Sequence, residues 1–398
     1  MNQVRSRGRV MLLIPGLTDG PLFSLGGRTP LETARTPALD ESSRLGWSGS
    51  APVVERNPQR RSMVGLPALL RYRSPGRLGR AALEARGLGI TVPHAALALR
   101  LDFVSTFRGA LADPRAGQLS DGEAELLLEA LRRVETPLRM RLHRGFSYRH
   151  VAVIEDAASW ELSTVSPHEV AGQLLSDFAP FGRDAGDLAR FQGDARSVLG
   201  EHVVNRVRLD LGENPADAIW MWGEGTEVRL APVSEVLGMT AAMVAGVPLL
   251  RGFAAVTGMT CPPCRERRVE GEEALRRRCA LALSLTDQHD LVVVHVAGAL
   301  ESSRRSDPVG KVRALEAIDR AVVAPLLRWA SQESGRSLLV TCDYPSSISS
   351  DGFQEEASPF ALVDGGAPRG ALRFDEVSHR EEPALEDLEP LLSRFYSA

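Results

Sequence analysis

The sequence predicts an α/β fold built around a parallel sheet. Two continuous apolar runs rich in β-branched residues, at 291–298 and 337–345, are typical of strands buried on both faces. Between them, a long helix is predicted from about Lys311 to Ser334. Strand, loop, helix and strand in this order form a βαβ unit. Because ligands bind beyond the carboxyl ends of parallel strands, a site is expected near 298–305 and 343–346.

The N-terminal segment predicts one more strand and a helix. An apolar run at 10–14 ends at a Pro-Gly turn, as a buried strand would. Thr36 can cap the next helix, Pro37 fits its first position and Gly46 fits its end.

Other elements are predicted along the middle of the chain. Ser120 and Glu123 form a capping box before the amphipathic stretch ELLLEALRRV. The run HVAVI at 150–154 predicts a strand, and 185–200 predicts a helix. Residues 50–90 are rich in Arg, Pro and Gly, which indicates loop with short helices.

Composition indicates a water-soluble, cytoplasmic chain of two domains, or of one domain with a large insertion. The 398 residues carry a net charge of −4, which gives no reason to expect nucleic-acid binding. No apolar run reaches the ~18 residues of a membrane span, and four cysteines do not make a disulfide framework. Lys311 is the single lysine, so the other 46 basic residues are arginines.

One family resemblance extends over most of the chain. The segment LTDGPLFSLGGRTPLETARTPALD (17–40) resembles the opening of the archaeal-type, 2,3-bisphosphoglycerate-independent phosphoglycerate mutases. The likeness continues in collinear order at ALEARGLGI (82–90), LRLDFVST (99–106), FSYRHVAV (146–153), SPHEVAGQ (166–173), VVNRVRLDLGENPADAIWMWGEG (203–225), VPLLRGFAAVTGM (247–259), HVAGALESSRRSDPVGKVRALEAID (295–319) and VTCDYP (340–345).

The resemblance implies an alkaline-phosphatase-like α/β core with a parallel sheet and an inserted smaller α/β domain. The core would comprise 1–75 and 216–398, and the inserted domain 76–215. Trp220 and Trp222 are expected to pack at the junction between the two.

The resemblance also implies phosphoryl transfer by a serine alkoxide held between two divalent metal ions, but most of the metal ligands are missing. The family's nucleophile falls on Ser62, and Asp343 keeps a usable carboxylate. The other ligand positions fall on Pro15, Leu300, Arg304, Tyr344 and Phe353, and the acidic residue that normally follows the nucleophile is replaced by Met63. No imidazole is left at any of these positions, and an arginine would repel a dication.

Two functions are therefore predicted. In the first, the chain is a non-catalytic relative that binds a phosphorylated small molecule, or a protein partner, without metals. In the second, it is an active mutase or related phosphotransferase whose manganese or zinc pair is held by replacement ligands. The candidates for that replacement are Asp19, Glu301, Asp307, Asp343 and Asp351.

The remaining candidate residues are arginines, a histidine and two cysteines. Arg100, Arg149, His168 and Arg251 lie in matching blocks and are candidates for binding substrate phosphate or carboxylate. Cys261 and Cys264 have the CxxC spacing of metal or redox sites, although an ordinary loop with reduced thiols is the favoured interpretation.

Overall fold

The computed structural model describes residues 8–52, 65–72, 78–263, 271–348, 357–368, 370–379 and 384–397. The chain divides into two compact units. Unit 1 contains 1–76, 230–247 and 257–398, and unit 2 contains 77–229 and 248–256.

Unit 1 is built on a six-stranded sheet with the order β2-β11-β10-β1-β9-β8. Its strands are β1 (Arg9–Leu13), β2 (Trp47–Ala51), β8 (Ala241–Val244), β9 (Leu291–His295), β10 (Ser337–Thr341) and β11 (Ser358–Val363). Strands β8, β9, β1 and β10 are parallel, whereas β11 runs antiparallel to both β10 and β2. Every residue of β1, β9 and β10 is buried, as expected for parallel strands covered on both faces. The predicted parallel sheet is confirmed.

The helices of unit 1 come between and after its strands along the sequence. They are α1 (Pro30–Thr33), α2 (Pro37–Leu45), α3 (Leu66–Leu69), α8 (Val233–Leu237), α10 (Glu272–Leu285), α11 (Gly298–Arg304), α12 (Pro308–Ile318), α13 (Ala324–Gln332) and α14 (Glu389–Ser397).

The long helix predicted from Lys311 to Ser334 is interrupted. A π-helical turn at Asp319–Val323 separates α12 from α13. The Asp319 carboxylate accepts hydrogen bonds from the backbone N–H groups of Ala38 and Leu39, at 3.1 and 2.8 Å. It therefore caps α2, whereas the side chain of Thr36, the predicted cap, makes no capping hydrogen bond. The carboxylate of Asp319, which is distant in the sequence, therefore takes the capping role that was predicted for the Thr36 hydroxyl.

Unit 2 is an antiparallel sheet with helices. Its strands are β3 (Leu97–Phe107), β4 (Ala110–Asp113), β5 (Met140–Phe146), β6 (Arg149–Ile154) and β7 (Ala218–Gly225). The order is β4-β3-β6-β5, and β7 pairs with β3. Its helices are α4 (Arg80–Gly87), α5 (Asp121–Leu131), α6 (Gly186–Gly200), α7 (Val203–Asp210) and α9 (Pro248–Val256). The Ser120–Glu123 capping box is present at the start of α5, as predicted.

The observed boundary between the units differs from the predicted one. Residues 216–229 were assigned to the core, but β7 pairs antiparallel with β3 and belongs to unit 2, as does α9. The indole N–H of Trp220 donates to the Val165 carbonyl, and that of Trp222 donates to Asp102. Both tryptophans thus have hydrogen-bond partners inside unit 2, and their predicted place at the junction stays a prediction.

No helix in the described ranges combines the length and the apolar character that crossing a bilayer requires.

Candidate functional site

The carboxyl ends of three parallel strands meet at one edge of the unit 1 sheet. Strand β1 lies between β9 and β10, with Leu13 aligned to His295 on one side and to Thr341 on the other. His295 ends β9, and Asp343 follows β10 by two residues. Their side chains meet beyond the end of β1, with His295 Nε2 3.9 Å from Asp343 Oδ2. This is the edge at which the sequence places a ligand site.

His295 and Asp343 are both buried. Burial lowers the pKa of His295 to about 3, assisted by the charges of Arg278 and Arg304. Burial also raises the pKa of Asp343 to about 7. His295 Nδ1 and Asp343 Oδ1 have no hydrogen-bond partner in the described part of the chain. Because the imidazole is neutral and 3.9 Å exceeds a hydrogen bond, the two side chains do not form an ion pair.

Backbone atoms and apolar side chains occupy the space around the turn that follows β1. Gly16 has φ +72°, and a Cβ built on it would lie 2.7 Å from the backbone N and Cα of Leu300. The Gly16 N–H donates to the Tyr344 carbonyl at 2.8 Å. The Leu300 side chain is buried, and so is Pro15. Helix α11 therefore packs closely against the turn where the resemblance implies a metal ligand.

Three of the carboxylates considered as replacement ligands are engaged by other groups. Glu301 accepts from Arg304 at 2.8 Å, and Asp307 caps α12 by accepting from the Gly310 N–H. Asp19 accepts from the ammonium group of Lys311 at 2.8 Å, and both side chains are fully buried. Asp351 lies outside the described residues.

The Asp19–Lys311 pair belongs to a larger buried network. Lys311 also donates to the Thr18 carbonyl, and Asp19 Oδ1 accepts from the Ile348 N–H. Glu376 accepts from the Asp19 N–H and from the Thr29 hydroxyl. Burial raises the pKa of Glu376 to about 7. This network joins segments from the beginning, middle and end of unit 1.

Unit 2 contains a second candidate region, which we call the arginine cluster and define as Arg80, Arg100, Arg149, Glu84 and Asp102. Arg100 is buried, donates to Asp102 at 2.7 Å and to Glu84 at 3.1 Å. Arg80 contacts Glu84 at 2.8 Å. Burial raises the pKa of Glu84, but the charges of Arg100, Arg80 and Arg149 outweigh burial and hold it below its usual range.

Aromatic rings support the arginine cluster. The guanidinium groups of Arg80 and Arg100 lie 5.3 and 5.1 Å from the Trp222 ring centroid. Arg149 lies 4.8 Å from the Tyr148 ring and donates to its hydroxyl at 2.8 Å. The arginine cluster thus brings three guanidinium groups together with two carboxylates. Guanidinium groups that aromatic rings hold in place are suited to donate hydrogen bonds to an anion.

The predicted binding residues are thus partly brought together. Arg100 and Arg149 share the arginine cluster, whereas His168 lies on the 3-10 helix Pro167–Glu169. Arg251 lies on α9, which packs against α4, the helix that carries Arg80 and Glu84. Ser62, Met63 and Phe353 lie outside the described residues, as does Cys264. Cys261 is half-buried.

Three participants were not predicted from the sequence. His295 was not singled out, although a histidine that ends the apolar run LVVVH at the carboxyl end of a parallel strand was a usable signal. Arg80 and Glu84 are spaced i, i+4 on α4. This spacing predicts an ion pair between the two side chains, but it does not predict that Glu84 also contacts Arg100.

The fold and the strand-end geometry define an α/β protein whose parallel strands bring their carboxyl ends to one edge of the sheet. A family profile described as 2,3-bisphosphoglycerate-independent phosphoglycerate mutase matches residues 45–205. A protein of that name from Methanothrix thermoacetophila is 32% identical over 94% of this chain and 95% of its own length. A Geobacter sulfurreducens protein named as a probable enzyme of this kind is 30% identical over 93% of this chain and 94% of its own length. The chain belongs to the 2,3-bisphosphoglycerate-independent phosphoglycerate mutase family.

Solved structures share the fold. A Pyrococcus horikoshii protein aligns with a TM-score of 0.73 at 19% identity, covering 99% of this chain and 98% of its own. The cofactor-independent phosphoglycerate mutase of Thermoplasma acidophilum aligns with a TM-score of 0.57 at 24% identity, covering 98% of this chain and 100% of its own.

The side chains at the strand ends do not fit the two metal ions that the resemblance implies. A two-metal phosphoryl-transfer site needs several carboxylates and imidazoles that converge on the ions. In the described ranges, no group of three or more His, Cys, Asp or Glu side chains is placed to hold a metal ion. All eight histidines lie within those ranges, and His295 is the one that approaches Asp343.

Proposed function

We propose that this chain is a non-catalytic member of the phosphoglycerate mutase family that binds a phosphorylated carboxylic acid without metal ions. The observation that carries the proposal is the strand-end site of unit 1, where Leu300 and the Pro15–Gly16 turn occupy the space and Asp19 is held by Lys311. A carboxylate that is paired with a buried ammonium group is a poor ligand for a dication.

The arginine cluster supports the binding half of the proposal. Phosphate and carboxylate oxygens accept paired hydrogen bonds from guanidinium groups. Arg149 is half-buried and stacks on Tyr148, so its guanidinium is positioned before a ligand arrives. A ligand such as 3-phosphoglycerate carries both anionic groups and is the natural probe, since relatives of this chain are named as phosphoglycerate mutases.

Family membership favours the second candidate, an active mutase with replacement ligands. In that case the carboxylates of 349–356, which lie outside the described residues, would have to join Asp343 and Ser62.

Metal content and exchange activity distinguish the two. Protein purified from cells grown with manganese and zinc would be analysed by mass spectrometry for metals, then assayed for interconversion of 2- and 3-phosphoglycerate with Mn²⁺ added. We expect less than one bound ion per chain and no interconversion above the buffer rate. About two ions per chain together with turnover that Ser62→Ala abolishes would overturn the proposal in favour of the active mutase.

Binding is tested separately by calorimetry with 3-phosphoglycerate in the presence of a chelator. Heat that saturates with one site per chain is expected. Absence of binding at millimolar ligand would refute the ligand-binding half, whatever the metal result.

A further inference from the structure

Helix α7 of unit 2 has one buried face that fixes its orientation. Asn205 donates to the carbonyls of Leu199 and Ala216, and its own side-chain carbonyl accepts from the Ala216 N–H. Arg208 is buried and donates to Glu123 at 2.8 Å. These contacts hold the helix so that its opposite face points to solvent.

Next to its buried side, the helix exposes a row of apolar residues. Val203, Val207 and Leu211 are 62%, 50% and 70% exposed. They are spaced four residues apart, so they form one continuous stripe along the helix. Valine and leucine stripes of this kind normally face a protein core. We call these three residues the α7 stripe.

Two opposite charges lie along one edge of the α7 stripe. Arg206 and Asp210 are exposed, and both fall on the same flank of the stripe at 3.6 residues per turn. They are spaced i, i+4, yet neither forms an ion pair in the described part of the chain. With the basic residue nearer the N-terminus, this is the less favourable order for a pair within one helix. Each charge is therefore available to a partner.

We propose that the α7 stripe pairs with the same stripe of a second copy of this chain, the two helices running antiparallel about a two-fold axis. A two-fold contact brings a surface against itself. Centred on Val207, it places each Val203 opposite the other copy's Leu211. In an antiparallel pair, the same flank of each helix meets its symmetry mate, so Arg206 of one copy lies beside Asp210 of the other. The charge pattern is self-complementary in this arrangement, whereas a parallel two-fold pair would place the two charged flanks on opposite sides of the contact.

The association is expected to be modest in strength. From Val203 to Leu211, the C-cap of α7, the stripe spans about 13 Å, so it is smaller than the interfaces of permanent dimers. We therefore expect a monomer–dimer equilibrium and not a permanent dimer.

Sedimentation equilibrium of the full chain, from about 5 to 300 µM, tests the arrangement. The weight-average mass should rise with concentration toward that of a dimer. Val207→Asp places two carboxylates against each other at the axis and should weaken association at least about tenfold. Leu126→Asp is the matched control, because Leu126 is 49% exposed on α5 of the same unit and should leave the equilibrium unchanged. A chain that stays monomeric throughout, or a dimer that Val207→Asp leaves intact, would overturn the proposal.

Charge reversal tests the register without touching the stripe. Arg206→Asp and Asp210→Arg should each weaken self-association, because like charges then meet across the axis. An equimolar mixture of the two variants should associate like the wild type, since each copy supplies the charge that the other needs. Circular dichroism would verify that each variant is folded. If the mixture does not recover, the antiparallel pairing is wrong.

Discussion

The strand ends of unit 1 and the arginine cluster of unit 2 differ in the charge of their side chains. At the strand ends His295 is neutral, burial raises the pKa of Asp343 to about 7, and Leu300 takes up space. In the arginine cluster, guanidinium groups outnumber carboxylates and stack on aromatic rings. The proposed function assigns a structural role to the first region and ligand binding to the second.

The largest expected effect comes from the buried pair beside the strand ends. Lys311→Met leaves the Asp19 carboxylate buried without its ammonium partner, which should lower the free energy of unfolding by about 3–5 kcal/mol. Urea unfolding followed by tryptophan fluorescence measures this. Adding Asp19→Asn to Lys311→Met should recover part of the loss. A change below about 1 kcal/mol in the single variant would contradict a structural role for the pair.

The second effect is a pH dependence at Asp343. Its pKa is raised from 3.8 to about 7 in the folded protein, so the folded state holds a proton that the unfolded state has released. Folding stability is therefore lost as pH rises between these two values, and the loss is complete above pH 7.

Asp343→Asn removes this cost. The variant should gain stability over the wild type by about 2 kcal/mol more at pH 8 than at pH 5. Urea midpoints at the two pH values provide the measurement. An advantage that is equal at both would mean that Asp343 titrates normally, as an exposed or metal-ready carboxylate would.

The third effect concerns ligand binding in the arginine cluster. Arg149→Gln removes a guanidinium group that Tyr148 orients, and the affinity for 3-phosphoglycerate should fall about tenfold, or ~1.4 kcal/mol. Arg190→Gln is the control, because Arg190 is exposed on α6 and pairs with Asp187. Equal losses in both variants would point to a general charge effect instead of a binding site.

The smallest effect is the response to salt. Raising NaCl from 50 to 300 mM should weaken 3-phosphoglycerate binding a few-fold, since the cluster is partly open to solvent and its charges are screened. The difference in unfolding free energy between wild type and Lys311→Met should change little, because that pair is fully buried. Salt-insensitive ligand binding would contradict an arginine-based site.

The sequence was sufficient for the parallel sheet because apolar runs such as LVVVH have one simple interpretation, burial on both faces. It was also sufficient for the Ser120–Glu123 cap, which depends on neighbours three residues apart. It was insufficient for α2, whose N-terminus is capped by Asp319 from 280 residues away in the chain. Long-range hydrogen bonds leave no periodic pattern in a sequence.

The residues of the candidate site were also only partly predictable from the sequence. The sequence pattern predicts the strand ends and Asp343, but not His295, which falls on no position matched to a metal ligand. Arg100 and Arg149 were suggested by matching blocks. Their approach to Glu84 depends on how α4 packs against β3 and β6, which residue spacing does not specify.

The burial of Lys311 also makes it a built-in reporter of unfolding. As the single lysine of the chain, it is the one side chain that amine-reactive dyes could label and the one bond at which a lysine-specific protease could cut. Both reactions require the Asp19–Lys311 pair to open, because the ammonium group is fully buried. Incubated with such a protease, the folded chain should stay intact. Each opening of its core should release the same two fragments, because cleavage occurs only at Lys311.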